Sequence, residues 1–477
     1  MEKRFSFIIF PAFFLEKCLK IFYTVSTKLY YSQRKGTMKY FIVTYGCQMN
    51  VHESEKLAGM LVGIGYTEAR SEEEADVILF NTCCIRDTAE KRAYGNIGAL
   101  KSLKKQNPDL LICVLGCMTQ QKGGAETLSK KFPFVDIILG THNIDELPIL
   151  LQEKRAKKRV ISVNTDPSPA INENIPVYRT SGTNAWINIM YGCNNFCTYC
   201  IVPYVRGRER SRSMKNVLSD VRQVLSEGYK EITLLGQNVD SYGSDLKDGT
   251  NFAALLREIG KIEGKFRVRF MTSHPKDFNK EVVDVIASSS NICHNIHLPI
   301  QSGSNAVLKR MNRKYTAETY LDIVSYIKEK MPDVGITSDI MIGFPGETEE
   351  DFLETCEIVK KVRFSNAFTF VYSPRNGTPA AAMEQIPANV KKSRITRLVA
   401  LQNKITKELS EEYIGKEFEI LIEDVNPKYE GTVCGRTDSG RLVTIPGDRS
   451  EIGRFARVLI EESRCASLFG KLVCFTD

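Results

Sequence analysis

Short, continuously apolar segments alternate along this chain with longer segments whose apolar residues recur every three or four positions. From residue 38, the first four apolar segments lie at residues 40–45, 76–80, 110–115 and 135–139. Continuous apolar strands separated by helical patterns are typical of a parallel sheet that is covered by helices on both faces. We therefore expect a parallel α/β domain of the flavodoxin or Rossmann kind over residues 38–151.

A second alternation begins near residue 185. Its six candidate strands lie at residues 185–190, 231–235, 267–272, 294–298, 336–342 and 367–372. Helical patterns such as residues 214–227 and 316–330 separate these strands. Six strand–helix units are fewer than the eight that close a barrel, so the pattern predicts an open, partial (β/α)6 barrel over residues 179–411.

Two segments differ from this alternation. Residues 152–178 are charged at first and then contain three prolines, which is typical of a linker. Residues 412–477 contain short strand-like runs separated by Asn-Pro, Ser-Gly and Pro-Gly turns. This pattern predicts a small all-β barrel at the end of the chain.

Residues 1–37 do not join the strand–helix order. Residues 5–15 are apolar and follow two basic residues, but Glu16 and Lys17 end the run, which is too short to span a bilayer. We expect an N-terminal extension without function, with Met38 as the natural start. The alternative is a membrane-surface anchor, although we expect no stable membrane association.

Composition indicates a globular protein and gives little support to nucleic-acid binding by itself. The 477 residues are 43% hydrophobic and 26% charged, with a net charge of +8. Residues 1–37 carry +5 of this charge, so the other 440 residues carry only +3. Binding to nucleic acid would therefore need a local basic site. Fourteen cysteines, about 3% of the chain, are too few for a disulfide scaffold and favour metal ligation with additional buried thiols.

The tightest cysteine spacing lies directly after the first strand of the second alternation. Cys193, Cys197 and Cys200 form a C-x3-C-x2-C motif on an expected strand-end loop, where barrels of this kind carry their chemistry. Three thiolates can hold three irons of a 4Fe–4S cubane and leave the fourth iron open. A structural zinc ion would need a fourth ligand, and no Cys or His follows until His274. Chance spacing of buried cysteines is the other alternative.

This motif resembles the radical S-adenosylmethionine (SAM) superfamily, in which the open iron binds SAM and one-electron reduction splits SAM to a 5′-deoxyadenosyl radical. Two further strand ends are similar to those of the family, residues 235–238 (Leu-Gly-Gln-Asn) and 337–347 (Thr-Ser-Asp-Ile-Met-Ile-Gly-Phe-Pro-Gly-Glu). Taken singly, each is also compatible with an ordinary turn. The resemblance implies that SAM binds against seven residues: Tyr199, Gly236, Gln237, Asn238, Ser273, Asp339 and Gly343.

Cys47, Cys83 and Cys117 each lie just beyond a predicted strand of the first domain. Ligand sites in open α/β sheets form at this edge, and neighbouring strands lie only about 5 Å apart. The three thiols can therefore converge although 35 and 33 residues separate them. Cys113 lies inside a strand and is expected to be a core thiol. Cys84 lies one residue past the shared position and is expected to be a bystander, although it would be the first substitute ligand. Coincident buried cysteines are the alternative.

The order C-x35-C-x33-C before C-x3-C-x2-C resembles the methylthiotransferase family of radical SAM enzymes. The resemblance covers residues 38–477, and the last module is similar to the TRAM domain of RNA-modifying enzymes. The similar segments are residues 44–50 (Thr-Tyr-Gly-Cys-Gln-Met-Asn), 81–83 (Asn-Thr-Cys), 201–204 (Ile-Val-Pro-Tyr) and 206–212 (Arg-Gly-Arg-Glu-Arg-Ser-Arg). The implied cofactors are SAM and two 4Fe–4S clusters. Cys193, Cys197 and Cys200 would hold the radical cluster, and Cys47, Cys83 and Cys117 an auxiliary cluster that carries the inserted sulfur.

Members of this family act on the adenosine next to the tRNA anticodon or on a ribosomal protein. Residues 270–275, 297–304 and 370–379 are most similar to the branch that methylthiolates N6-isopentenyladenosine in tRNA. One SAM would methylate the sulfur and a second would supply the radical. The alternatives are N6-threonylcarbamoyladenosine in tRNA, a ribosomal protein or, in another class, an iron–sulfur carrier or scaffold. We expect a cytoplasmic enzyme with tRNA and a one-electron reductase or flavodoxin-type donor as partners.

The last module cannot attract RNA by its total charge, because residues 413–477 contain nine basic and eleven acidic residues. Local cations must then hold the RNA. The candidates are Arg206, Arg208, Arg210 and Arg212, since arginine clamps phosphate or stacks on a base. The alternative is that these arginines lie on an exposed loop and contact only solvent.

Overall fold

The computed structural model describes residues 37–84, 87–154, 159–179 and 182–477. The N-terminal extension expected at residues 1–37 therefore lies outside the described residues, apart from Thr37. The described chain forms three regions, an α/β sheet, an open barrel and a small closed barrel, so the predicted architecture is confirmed.

The elements are numbered here in chain order. The strands are β1 Lys39–Thr44, β2 Thr67–Glu68, β3 Val77–Thr82, β4 Leu111–Gly116, β5 Ile137–Leu139, β6 Val160–Ser162, β7 Asn184–Asn188, β8 Met190–Tyr191, β9 Arg210–Ser211, β10 Glu231–Leu235, β11 Arg267–Phe270, β12 Asn295–His297, β13 Gly335–Ile342, β14 Asn366–Val371, β15 Glu417–Val425, β16 Thr432–Thr437, β17 Leu442–Pro446, β18 Phe455–Arg464 and β19 Ser467–Phe475. The helices are α1 Gln48–Gly63, α2 Asp87–Gln106, α3 Cys117–Gln120, α4 Gly124–Lys131, α5 Leu147–Lys154, α6 Val202–Val205, α7 Met214–Ser226, α8 Phe252–Gly260, α9 Lys280–Ser288, α10 Asn305–Arg310, α11 Ala317–Lys330, α12 Glu349–Val362 and α13 Ala388–Glu411.

The first sheet is parallel, with strand order β2-β1-β3-β4-β5-β6. Successive side chains of β3 enter different cores, because Leu79 packs with α1 on one face and Phe80 with α2 on the other. This two-sided burial is why the strands are continuously apolar. The strand β6 lies inside the segment expected to be a linker, so that expectation is corrected in part. Three residues at a sheet edge are too few to give a recognisable apolar run.

The second region is an open barrel. Its parallel strands form two three-stranded sheets, β7-β10-β11 and β12-β13-β14, which a bridge between Val268 and Ile292 connects. In β13, the half-buried residues Thr337, Asp339 and Met341 alternate with residues that are buried against the outer helices. The half-buried set therefore faces the interior of the open barrel.

The third region is a closed barrel with strand order β15-β16-β17-β19-β18. Its β16–β17 turn docks at the amino ends of the open barrel's strands. Arg269 of β11 donates to the carbonyl oxygens of Thr437 and Asp438 at 2.9 and 3.1 Å, and to the buried Glu231 carboxylate at 2.8 Å. The last module thus lies at the end of the open barrel away from the cysteine loop.

Helix α1 connects the first domain to the opposite end of the barrel, where the strands terminate. Its first residue directly follows Cys47, and Glu53 further along forms a buried ion pair with Arg206. Lys56 Nζ then donates to the hydroxyl of Tyr191 at 2.7 Å. The carboxyl ends of the strands of the first domain therefore face the carboxyl ends of the barrel strands, with α1 between them. Among the described helices, none combines the length and apolar character that a membrane span requires.

Candidate metal centres

Cys47, Cys83 and Cys117, the auxiliary triad, follow the adjacent strands β1, β3 and β4. Cys83 and Cys117 are buried and Cys47 is half-buried. A Cβ atom added to Gly46 would lie 2.8 Å from Cys83 Sγ, so this thiol lies directly beside the residue before Cys47. The Cys47 and Cys117 thiols also interact electrostatically. The structure therefore brings together three thiols that are far apart in sequence.

Glycine is needed next to two of these cysteines. Gly46 and Gly116 have φ values of +113° and +103°, which other residues rarely adopt. A Cβ on Gly116 would also lie 2.4 Å from the carbonyl oxygen of Thr82. Close packing of the strand ends therefore requires glycine before Cys47 and before Cys117.

Cys84 and Cys113 behave differently from the triad. Cys113 is buried within β4 in the core beneath α1, as expected of a core thiol. Cys84 is also buried, and its interaction with the Cys117 thiol lowers the pKa of Cys117. Cys84 is thus a direct neighbour of the auxiliary triad, although it lies one residue past the strand-end position that the triad shares.

The chemistry of the auxiliary triad fits an iron–sulfur cluster. In a cubane, three cysteine thiolates each bind a different iron and leave the fourth iron open. Burial raises the pKa of Cys47, while the Arg206 guanidinium acts to lower it. A cation beside buried thiols favours the thiolates that iron requires.

Cys193, Cys197 and Cys200, the radical triad, lie on a loop directly after β8. Gly192 before them has φ +78°, and a Cβ there would lie 1.9 Å from the carbonyl oxygen of Arg208. The loop is fixed from the other side, because Asn312 donates to the carbonyl oxygen of Phe196 at 3.0 Å. Burial raises the pKa of Cys193 to about 12, so this thiol needs a metal or a cation to ionise.

Arg313 supplies such a cation, and the sequence contained no spacing signal that could have found it. Its guanidinium is buried and lies 3.4 Å from Cys197 Sγ. It also donates to the Tyr315 hydroxyl at 3.0 Å and to the carbonyl oxygen of Pro299 at 3.1 Å. These bonds hold the positive charge against the radical triad.

The candidate SAM residues of the first strand ends gather near this loop. Tyr199 is half-buried, and its hydroxyl interacts electrostatically with the thiols of Cys197 and Cys200. Gly236, Gln237 and Asn238 follow β10, and Ser273 follows β11. Among the described side chains, Gln237 Oε1 and Asn238 Oδ1 are buried oxygens without a hydrogen-bond partner. Unpaired buried acceptors are costly, and a ligand that donates hydrogen bonds, such as an amino group, would satisfy them.

The two remaining SAM candidates lie on and after β13. Asp339 faces the barrel interior, with its carboxylate 3.7 Å from His297 Nε2. Gly343 has φ +73°, but its N–H bonds to the Glu347 carboxylate at 3.1 Å. A Cβ on Gly343 would lie 2.5 Å from Lys391 Cγ. The close approach at Gly343 is thus made by α13.

The four candidate RNA arginines have different surroundings. Arg206 and Arg212 are buried, Arg206 pairing with Glu53 and Arg212 with Glu173 and Asp220. Arg210 is half-buried and donates to the carbonyl oxygens of Pro169 and Arg206. Arg208 is exposed, with its guanidinium 4.5 Å from the centre of the Phe196 ring. Arg206 and Arg212 are therefore engaged within the protein, and Arg208 is the most exposed of the four arginines.

Three parts of the chain match known protein families. Residues 39–140 match uncharacterized protein family UPF0004, residues 187–359 the radical SAM superfamily, and residues 411–473 the TRAM domain. The chain is 52% identical to "tRNA-2-methylthio-N(6)-dimethylallyladenosine synthase" of Clostridium botulinum over 91% of this chain and 96% of that protein. The proteins of the same name from Acetivibrio thermocellus and Carboxydothermus hydrogenoformans are 50% and 51% identical, over 91% and 99% of their lengths. The chain belongs to the methylthiotransferase family of radical SAM enzymes.

A solved structure supports the fold of this methylthiotransferase. The radical SAM methyltransferase TsrM from Kitasatospora setae, with cobalamin and a [4Fe-4S] cluster bound, superposes with a TM-score of 0.54 at 12% identity. The match covers 72% of this chain and 77% of TsrM. The cofactors of a radical SAM methylthiotransferase are SAM and two 4Fe–4S clusters. Because the chain belongs to this family, it is an enzyme rather than an iron–sulfur carrier.

Proposed function

We propose that this enzyme methylthiolates carbon 2 of N6-isopentenyladenosine next to the anticodon of tRNA, giving 2-methylthio-N6-isopentenyladenosine. SAM serves as both methyl donor and radical source. The names of relatives that are 50–52% identical over 91% of the chain support this substrate. The carbon–hydrogen bond at position 2 of adenine has no acidity for acid–base chemistry to use, so a radical route is required.

The observation that carries this proposal is the placement of the two cysteine triads at facing strand ends of two domains. When bound, the cofactors would supply an electron to SAM at the radical triad and a sulfur atom at the auxiliary triad. The protein's part is to hold the two sites in one orientation. The bonds of α1 to Arg206 and Tyr191 do this, because both partners lie within the segment that carries the radical triad.

The interior face of the open barrel favours an apolar substituent on the base. Phe368 and Phe370 of the edge strand β14 are 47% and 40% exposed and lie on the same face as Asp339 and Met341, so they present a large apolar surface to the barrel interior. The Phe368 ring lies 5.9 Å from that of His297, beside Asp339. An isopentenyl group fits such a surface, whereas the charged threonylcarbamoyl group of the alternative tRNA substrate would be desolvated there.

The surface beside the radical triad supports RNA contact. Arg208 stacks on Phe196, and the ring of the exposed Tyr204 lies 6.0 Å from Phe196. Arginine and aromatic faces together hold unstacked bases of single-stranded loops, such as an anticodon loop. We place the tRNA loop at this surface, in a cytoplasmic enzyme that receives electrons from a reductase or flavodoxin-type donor.

The test is mass spectrometry of tRNA nucleosides from a strain that lacks this gene. We expect 2-methylthio-N6-isopentenyladenosine to disappear and N6-isopentenyladenosine to accumulate. The wild-type gene should restore the product, and a gene with alanine at the auxiliary triad should not. Loss of the methylthio group from N6-threonylcarbamoyladenosine or from a ribosomal protein would instead assign one of the alternative substrates.

A further inference from the structure

Arg206 occupies an unusual position between the two domains. It belongs to the radical SAM region, yet the residue is 5% exposed and its guanidinium reaches into the first domain. It pairs with both oxygens of Glu53 and donates to Asn50 Oδ1 at 2.8 Å. Asn50 Oδ1 in turn lies 4.0 Å from Cys47 Sγ, and the charge of Arg206 also acts on the Cys117 thiol. One arginine therefore reaches the immediate surroundings of the auxiliary triad from across the domain boundary.

The charge of Arg206 is only partly offset by Glu53. At both Cys47 and Cys117, the attraction of the thiolate to Arg206 exceeds its repulsion by Glu53. The sulfur atoms of Cys47 and Cys117 thus experience a net positive field from this ion pair.

We propose that Arg206 is a positioning residue that anchors the auxiliary cluster to the radical SAM region and raises the reduction potential of that cluster. A positive charge close to a cluster stabilises the added electron, which favours the reduced form. A first domain that separated from the barrel would lose this charge. The electronic state of the auxiliary cluster thereby depends on the closed arrangement of the two domains. The proposal rests on the auxiliary cluster of the proposed function.

The experiment uses the full chain with alanine at the radical triad, so that only the auxiliary cluster is reconstituted. In this background, Arg206→Gln is compared with Arg206→Lys and Glu53→Gln. The matched control is Arg212→Gln, because Arg212 lies in the same segment, is 6% exposed and bonds to Glu173, Asp220 and the carbonyl oxygen of Asn188. The readouts are iron content and an EPR-monitored redox titration with dithionite, neither of which requires tRNA or turnover.

We expect Arg206→Gln to lower the ratio of reduced to oxidised cluster by about tenfold at a fixed potential, which is about 59 mV for a one-electron couple. Arg206→Lys should recover most of this ratio because the charge is kept. Glu53→Gln should shift the ratio in the opposite direction, since it removes the opposing charge, and misfolding cannot produce such an opposite shift. Arg212→Gln should leave the ratio within about twofold of the background.

Two results would overturn the proposal. If Arg206→Gln and Arg212→Gln titrate alike, or Glu53→Gln shifts the ratio in the same direction as Arg206→Gln, then Arg206 only links the domains mechanically. If the background protein binds no iron, the auxiliary triad holds no cluster and Arg206 has none to tune. In that case the two-cluster function fails as well, whereas a normal iron content with unchanged potentials refutes only the role of Arg206.

Discussion

Replacing Arg269 with alanine should loosen the attachment of the closed barrel to the open barrel. Arg269 and Glu231 are an almost fully buried ion pair, with side chains 9% and 4% exposed. Arg269 also supplies the two hydrogen bonds that hold the carbonyl oxygens of Thr437 and Asp438. Alanine would remove all three bonds and leave the Glu231 carboxylate buried beside an unfilled space.

The magnitude follows from the burial of this carboxylate. Removing one partner of a buried ion pair costs about 3–5 kcal/mol, because the remaining charge has no compensation. Since about 1.4 kcal/mol corresponds to a factor of ten, local opening of the β16–β17 turn should become roughly 100- to 4,000-fold more frequent. The rest of the closed barrel has its own core and should stay folded.

Amide hydrogen exchange measures this opening directly. The reporting amides are those of Thr437 and Gly440, which donate to carbonyl oxygens within the turn at 3.0 Å. The control variant is Arg257→Ala, because Arg257 and Glu281 form a pair at 2.9 Å whose side chains are 48% and 49% exposed. Such an exposed pair contributes about 0–1 kcal/mol. Equal protection of the turn in the two variants would contradict the docking role of Arg269.

Four further predictions concern the clusters, the backbone, pH and the extension. Reconstituted protein should contain about eight irons, and a variant with alanine at all three cysteines of either triad should contain about four. SAM cleavage should be lost only in the radical-triad variant. Cys113→Ala should not change the iron content. Gly116→Ala should lose the auxiliary iron, whereas Gly65→Ala, at a similar φ of +92° but with no atom within 4 Å, should keep it; equal iron loss would remove the steric argument. Burial raises the pKa of Asp240 from 3.8 to about 8. The folded protein therefore favours the protonated carboxyl, and this contribution to stability is lost as pH rises from about 4 to about 8. Urea unfolding of Asp240→Asn should not show this loss, and parallel pH curves of the free energy of unfolding for the two proteins would exclude the effect. A chain that begins at Met38 should remain folded and active, as judged by methylthio product per enzyme, and a loss of either would show that residues 1–37 contribute.

The sequence predicted the fold, and the strand-end positions of the cysteines in both triads, because these depend on local patterns. Strand ends can be read from apolar runs, and a cysteine just beyond a parallel strand has only one edge of the sheet to occupy. The arginines could not be read in this way. Arg206 and Arg212 lie in an alternating charged segment that is typical of an exposed loop, but Arg206 pairs with a glutamate 153 residues earlier in the chain. That contact exists only after two domains have docked, and Arg313 likewise lies 116 residues from the cysteine it contacts.

Helix α1 sets a fixed length between the two halves of the enzyme. Nine residues separate Cys47 from Lys56 in numbering, which is about 13.5 Å along a helix axis. One inserted residue would advance the later part by about 1.5 Å and turn it by about 100°, so Lys56 would face away from Tyr191 while Cys47 stayed in place. The number of residues between Cys47 and Lys56 is therefore constrained, although substitutions within α1 that keep this number preserve the spacing.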